Sequence, residues 1–175
     1  MFEMDYALVG KHATYLKYLV NEVQINGQGL FERYIDVYMN AAIFGLLYNR
    51  TAKRDTTSSD RANILAGAFN TCRNDCTFLY RLVMLLEQST DVTPEERVNR
   101  AFRHDADEHE KDKLKANMDL FHTYVFGGIE VMYEKYTDGC TTPDDYLEKI
   151  YSLMNDFKEE IRGISFEDKL SQLIG

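Results

Sequence analysis

Apolar residues recur at steps of three and four along almost the whole chain, which is the period of an amphipathic α-helix. In the first segment this stripe runs from Val9 to Val23, and a glycine-containing stretch at 26–29 follows it. No stretch shows the period-two alternation of a strand bounded by turns. The pattern therefore predicts an all-α fold, a single helical domain over residues 1–175 with five or six main helices in a bundle.

The second predicted helix spans about 30–49 and is the most apolar segment of the chain. Between Val37 and Tyr48 its residues are apolar on nearly every face. Because a helix that is apolar all round is usually buried all round, we expect it to be the buried central helix of the bundle. The apolar run is shorter than the roughly 20 residues that a membrane span needs, so we predict no association with a membrane.

Polar stretches and capping motifs predict the remaining boundaries. We expect a mobile loop at about 51–59 and a third helix from about 60 to 87, in which the polar stretch 73–75 allows a break. The motifs Thr-Pro-Glu-Glu at 93–96 and Thr-Pro-Asp-Asp at 142–145 predict two helix starts. Threonine caps such a start, and proline at the first helical position gives up only an N–H that would be unpaired there.

The last third of the chain predicts one long helix and one or two shorter ones. Apolar residues keep helical spacing from about 114 to 136, and the pair Gly127–Gly128 lies inside that stretch. Since each glycine costs about 1 kcal/mol relative to alanine in a helix, the pair predicts a kink or a close approach of another helix. A helix over 143–162 should follow, and then a short C-terminal helix at about 166–173.

Charge limits the partners that the protein could bind. The chain has 20 Lys and Arg residues against 29 Asp and Glu residues, so its net charge is −9. This balance argues against a protein that binds nucleic acid by bulk neutralisation of phosphates. The acids are concentrated between Asp138 and Asp168, whereas basic residues gather between Arg50 and Arg61.

The beginning of the chain and its cysteines suggest a compartment. The first residues lack the basic and apolar regions of a signal peptide. The chain has three cysteines, and Cys72 and Cys76 fall within an apolar stripe. We therefore expect a cytoplasmic protein in which these two are reduced thiols in the core.

One cluster could bind a metal, although the common signatures of hydrolases, kinases and oxidoreductases are missing. In a helix, Asp105 would lie one turn from His109, and His104 one turn from Glu108. Imidazole and carboxylate groups at that spacing could form half of a zinc or iron site in a metal-dependent helical enzyme. We prefer the interpretation of a solvated acidic helix start, because the Glu-x-x-His spacing of di-iron bundles is absent. No cofactor is expected.

The distribution of tyrosines favours a role in protein interaction. The chain has 12 tyrosines, and many of them fall in the first two helices, where such side chains can form an interface. We expect a non-enzymatic cytoplasmic adaptor or accessory subunit of a larger assembly, which binds a protein partner or a second copy of itself. The candidate contact residues are Tyr15, Tyr18, Arg50, Lys53 and Arg54. A further alternative is a nucleic-acid-linked accessory protein, acting through the basic 50–61 region or as an acidic mimic of DNA.

Overall fold

The computed structural model describes residues 1–25, 27–105 and 108–162. The elements are, in chain order, β1 (Tyr6–Val9), α1 (Lys11–Asn21), β2 (Gln24–Ile25), β3 (Gln28–Gly29), α2 (Tyr34–Leu47), β4 (Arg61–Ile64), α3 (Ala66–Thr71), α4 (Arg73–Leu86), α5 (Pro94–Phe102), a 3₁₀ turn (Glu108–Glu110), α6 (Lys111–Thr137) and α7 (Pro143–Arg162). The fold is predominantly helical, with two small antiparallel strand pairs, which confirms the predicted all-α class. A continuous apolar core runs from Phe2 to Ile150.

Helix α2 lies at the centre, as predicted, and packs along α6 as well as against α1 and α4. Glycines allow the α2 and α6 backbones to approach closely. A Cβ atom added at Gly45 would clash with the carbonyl oxygen of Tyr124, and one added at Gly128 would clash with that of Ala41. Of the two roles predicted for the glycine pair, a close helix–helix approach is therefore confirmed.

Burial around α2 differs from the prediction. Its Ile35, Val37 and Tyr38 are buried, but Ile43 and Leu47 are exposed to solvent. The segment with every residue buried is 124–132 in the middle of α6. The sequence shows that α2 is apolar all round, but only the packing of its neighbours decides which of its faces is covered.

The predicted third helix from about 60 to 87 is wrong in its first residues. Arg61 to Ile64 form a strand that pairs antiparallel with β1, with Tyr6 opposite Ile64. Ala62 and Ile64 are buried while Arg61 and Asn63 are exposed, so the alternation of a strand exists but covers only four residues. After this strand, Cys72 separates α3 from α4, at the break that the polar stretch allowed.

Both predicted capping motifs are confirmed. The Thr93 hydroxyl accepts the N–H of Glu96 at 3.2 Å and begins α5. At α7 the bonds are reciprocal, since Thr142 accepts the N–H of Asp145 at 3.3 Å and the Asp145 carboxylate accepts the N–H of Thr142 at 2.7 Å. The short helix expected at about 166–173 lies outside the described residues.

Residues 51–59 form a loop without regular structure, as predicted. Backbone and side-chain contacts attach it to the bundle. The N–H of Ala52 donates to the Thr123 carbonyl at 2.9 Å, and the Asp55 carboxylate accepts the N–H of Lys11 at 2.6 Å, at the first residue of α1. The mobility of this loop stays a prediction.

Candidate functional site

Tyr15 and Tyr18, two of the predicted contact residues, lie half-buried between α1 and α6. The Tyr15 ring stacks on Tyr133 with centroids 3.9 Å apart, and Tyr18 meets the same ring edge-on at 5.4 Å. The Tyr18 hydroxyl also lies 2.7 Å from the hydroxyl of Tyr146 on α7. These rings therefore connect three helices within the chain.

Arg50 belongs to an ionic cluster at the buried carboxylate of Glu130 on α6. Glu130 lies 3.3 Å from the Arg50 guanidinium, 2.7 Å from Lys11 Nζ and 3.1 Å from Nε2 of the buried His12. Burial raises the pKa of Glu130, but the hydrogen bonds from Lys11 and His12 outweigh it, and the pKa lies below its usual value. Burial also lowers the pKa of His12, against the effect of Glu130. This cluster stabilises the packing of α1 and the end of α2 against α6.

The remaining predicted contact residues lie on the surface of the loop after α2. Lys53 is exposed, and the exposed Arg54 guanidinium donates to the Ala7 carbonyl at 3.1 Å. The structure thus brings Tyr15, Tyr18 and Arg50 to one turn of α6, whereas Arg54 contacts β1 and Lys53 is exposed beside it in the loop.

The candidate metal residues do not form the predicted helical cluster. His104 lies in a turn after α5, where its Nδ1 is 3.0 Å from the side-chain nitrogen of Asn117, and Asp105 faces Arg81 at 3.5 Å. Glu108 and His109 lie in the 3₁₀ turn, since α6 begins only at residue 111. Within the described ranges, no group of three or more His, Cys, Asp or Glu side chains could hold a metal ion.

The cysteines are free thiols, and both predicted core positions are confirmed. Cys72 and Cys76 are buried, and burial raises the pKa of Cys76 to about 12. A thiol with so high a pKa stays protonated near neutral pH and is a poor nucleophile.

An apolar groove lies on the surface between α2 and α7, and we call it the α2–α7 groove. Its volume is about 250 Å³. The residues that line it are Ile43, Phe44, Leu47, Tyr48, Tyr136, Ile150, Leu153, Met154 and Phe157. Leu47 is 61% exposed, Met154 67% and Phe157 53%. Large apolar side chains concentrated in this way on a surface are typical of interaction sites.

Helix α7 extends the apolar surface beyond the groove. Tyr146 and Ile150 are buried against the bundle, whereas Leu147 and Tyr151 are exposed. Leu147, Tyr151 and Met154 are three or four residues apart and therefore share one face of the helix. The amphipathic α7 thus covers the core with part of its apolar stripe and leaves the rest in solvent.

Acidic side chains flank the groove along the α6–α7 boundary. Two polar clefts there are lined by the carboxylates Glu134, Asp138, Asp145, Glu148 and Asp156 and by the lysines Lys135 and Lys149. Leu153 lines both one of these clefts and the groove, so the acidic and apolar surfaces are continuous. Lys135 also forms a cation–π contact, because its Nζ lies 4.5 Å from the centre of the Tyr48 ring.

Sequence reasoning missed the groove because periodicity identifies apolar faces without showing which of them are covered. The sequence of α2 contains a sign of the groove. Apolar residues lie on all sides of this helix, and they are more numerous than packing on one face requires. No helix in the described part of the chain has both the length and the apolarity to cross a membrane.

Comparisons with known proteins add no family or relative. No protein-family model matches the chain, and no curated protein and no solved structure matches it.

Proposed function

We propose that this protein is a non-enzymatic interaction protein, an adaptor or accessory subunit that binds a protein partner through the α2–α7 groove. The observation that carries the proposal is the concentration of exposed apolar side chains on two adjacent helices. Covering Leu47, Met154 and Phe157 would remove large apolar surfaces from water, at about 25 cal/mol per Å² of surface buried.

The shape and charge of the surface indicate the chemistry of the partner. A groove between two helices is suited to the apolar face of a third, amphipathic helix. Five carboxylates against two lysines along the neighbouring clefts favour a partner with basic residues beside that apolar face. We therefore propose a cationic amphipathic helix as the bound segment.

A second copy of the chain fits this surface less well. In a two-fold symmetric dimer the same patch of both subunits meets, so the acidic flank of one copy would lie near that of the other. Such like-charge contacts are unfavourable, and a net charge of −9 on each chain adds to the repulsion.

A binding experiment with a designed peptide tests the groove directly. The probe is a fluorescent amphipathic helix of leucine and lysine, and the control probe has glutamate in place of lysine. We expect the lysine peptide to bind with a Kd on the order of micromolar and the glutamate peptide at least about tenfold more weakly. The double variant Met154→Gln, Phe157→Gln should lose at least about tenfold in affinity for the lysine peptide.

The control variant is Phe78→Gln, Leu86→Gln, which changes two exposed apolar residues of α4. It should bind the lysine peptide as the unchanged protein does. Equal binding by both double variants would contradict the proposal. So would sedimentation showing a dimer that only the α7 double variant abolishes, because a second copy would then occupy the groove.

The same variants test the role in the cell. Tagged protein from its own cells should retain a stoichiometric partner with the α4 control variant and lose it with the α7 variant. A partner retained equally by both variants, or a partner without a basic amphipathic segment, would refute the proposed mode of binding.

A further inference from the structure

A second surface pocket lies where α4 meets the end of α5. It shares no lining residue with the α2–α7 groove, and its volume is about 450 Å³, within the range of small-ligand sites. The residues that line it are Asn74, Thr77, Phe78, Arg81, Leu82, Leu85 and Phe102. All of them belong to α4 except Phe102, which is the last residue of α5. We call it the α4–α5 pocket.

Polar and apolar side chains are separated within this pocket. At 3.6 residues per turn, the six α4 residues share one face of the helix. Asn74, Thr77 and Arg81 lie along one side of that face. The apolar Phe78, Leu82 and Leu85 lie along the other side. A ligand lying along α4 would therefore meet hydrogen-bonding groups on one flank and hydrocarbon on the other.

The three polar side chains have hydrogen-bonding capacity that the protein does not use. Within the described ranges, none of Asn74, Thr77 and Arg81 forms a side-chain hydrogen bond with another residue. The Nε of Arg81 is shielded from solvent and still has no such partner. Since shielded polar groups are normally paired in a folded protein, this guanidinium is incomplete without a further acceptor. All three side chains can donate hydrogen bonds, which suits an anion.

Arg81 is also the only charged residue among the described residues that line the pocket. Its Cζ lies 5.2 Å from the centre of the Phe102 ring, a cation–π contact that holds the guanidinium at the end of α5. Asp105 faces it at 3.5 Å from outside the lining and compensates part of its charge. Two further charges nearby, on the exposed Asp75 and Arg103, have opposite signs. The pocket therefore favours a ligand with a single negative charge.

We propose that the α4–α5 pocket binds a small amphiphilic carboxylate, of the medium-chain fatty-acid class. The carboxylate accepts charge-assisted hydrogen bonds from Arg81, at N–H groups that Asp105 leaves unbonded, and further bonds from Thr77 and Asn74. Its hydrocarbon chain packs along the apolar side of the α4 face. A doubly charged head group such as phosphate would meet stronger repulsion from Asp105.

Octanoate and octanamide are the matched probes, because the amide has the shape of the carboxylate without its charge. Methyl NMR of the leucines reports where each probe binds. We expect millimolar or tighter binding of octanoate, with shifts at Leu82 and Leu85 and none at Leu47 and Leu153 in the α2–α7 groove. Octanamide should bind at least about fivefold more weakly, because it lacks the charge. Acetate, which has the head group without the chain, should bind at least about tenfold more weakly than octanoate.

One substitution tests the role of the guanidinium. Arg81→Met removes the charge and keeps an unbranched apolar side chain. It should weaken octanoate binding about tenfold and leave octanamide binding unchanged. The control Arg73→Met removes an exposed arginine of the same helix, which is paired with Glu3 at 2.8 Å. Octanoate should bind this control variant as it binds the unchanged protein.

The double variant Phe78→Gln, Leu86→Gln separates this site from the α2–α7 groove. It should keep its affinity for the lysine peptide but lose at least about fivefold in affinity for octanoate, because Phe78 lines the pocket. Equal affinity for octanoate and octanamide would overturn the proposal. So would octanoate binding that Arg81→Met leaves unchanged, or leucine shifts confined to Leu47 and Leu153.

Discussion

Glu87 shows how far a single buried charge depends on its surroundings. Its carboxylate, at the end of α4, is fully buried and accepts hydrogen bonds from the backbone and hydroxyl groups of Ser89 and Thr90. Arg97 and Arg100 on α5 lie 3.4 and 3.5 Å from it. Burial raises the pKa of Glu87, but the bonds from Thr90 and Ser89 outweigh this, and the pKa lies below its usual value.

Replacing this carboxylate should therefore be costly. We expect Glu87→Gln to lower the free energy of unfolding by about 2–4 kcal/mol, because it leaves the partly buried Arg97 guanidinium without its counter-charge and leaves Arg100 only the more exposed carboxylate of Glu96. Urea denaturation measures the loss. The matched variant Glu96→Gln removes an exposed carboxylate 3.6 Å from Arg100 and should cost less than about 0.5 kcal/mol. Similar losses in both variants would show that the network around Glu87 contributes little.

His122 predicts a dependence of stability on pH. Its pKa is about 4 in the folded protein and about 6.5 in an unfolded chain, so below pH 6.5 the unfolded state binds a proton that the folded state does not. Stability should fall as the pH drops through this window. Between about pH 7 and pH 5 the expected loss from this residue is about 2 kcal/mol.

The substitution His122→Gln removes this titration and keeps an acceptor for the Tyr38 hydroxyl. The difference in unfolding free energy between the two pH values should shrink by about 2 kcal/mol relative to the unchanged protein. An unchanged difference in the His122 variant would contradict a depressed pKa at this position.

At the scale of the elements, the close approach of α2 and α6 depends on residues without side chains. Gly128→Ala would place a methyl group against the Ala41 carbonyl, and the two backbones would have to separate. We expect a loss of about 2–3 kcal/mol in the free energy of unfolding. Gly67→Ala on α3 is the control, because its added methyl meets no atom and should stabilise the helix by up to about 1 kcal/mol. Equal effects would mean that α6 can shift without cost.

Local chemistry explains which elements could be predicted from the sequence. Thr93 and Thr142 identify two helix starts because capping needs only residues that are neighbours in the chain. Strand β4 was missed because its four residues become a strand only by pairing with β1, more than fifty residues earlier. The residues close to β4 in the sequence do not show which strand it pairs with.

At the scale of the whole molecule, periodicity predicts the fold class but not the candidate site. Helical spacing over most of the chain is sufficient for the all-α class. Tyr15 and Tyr18 were candidates because tyrosine suits interfaces, and the structure shows that both contact Tyr133 within the chain. The exposed Leu47 and Met154 look like core residues in the sequence. Only the arrangement of the helices shows that no residue in the described ranges covers these two side chains.

The crossing of α2 and α6 also has a consequence for the rate of folding. It joins residues about eighty positions apart, and the β1–β4 pair joins residues more than fifty apart. Both contacts can form only after a long loop of chain has closed. The entropy of that loop is lost before the contact stabilises the fold. The protein is helical in composition but nonlocal in its connections. Its folding time therefore belongs with the slower mixed domains, in the range of milliseconds or longer, rather than with the microsecond helical bundles.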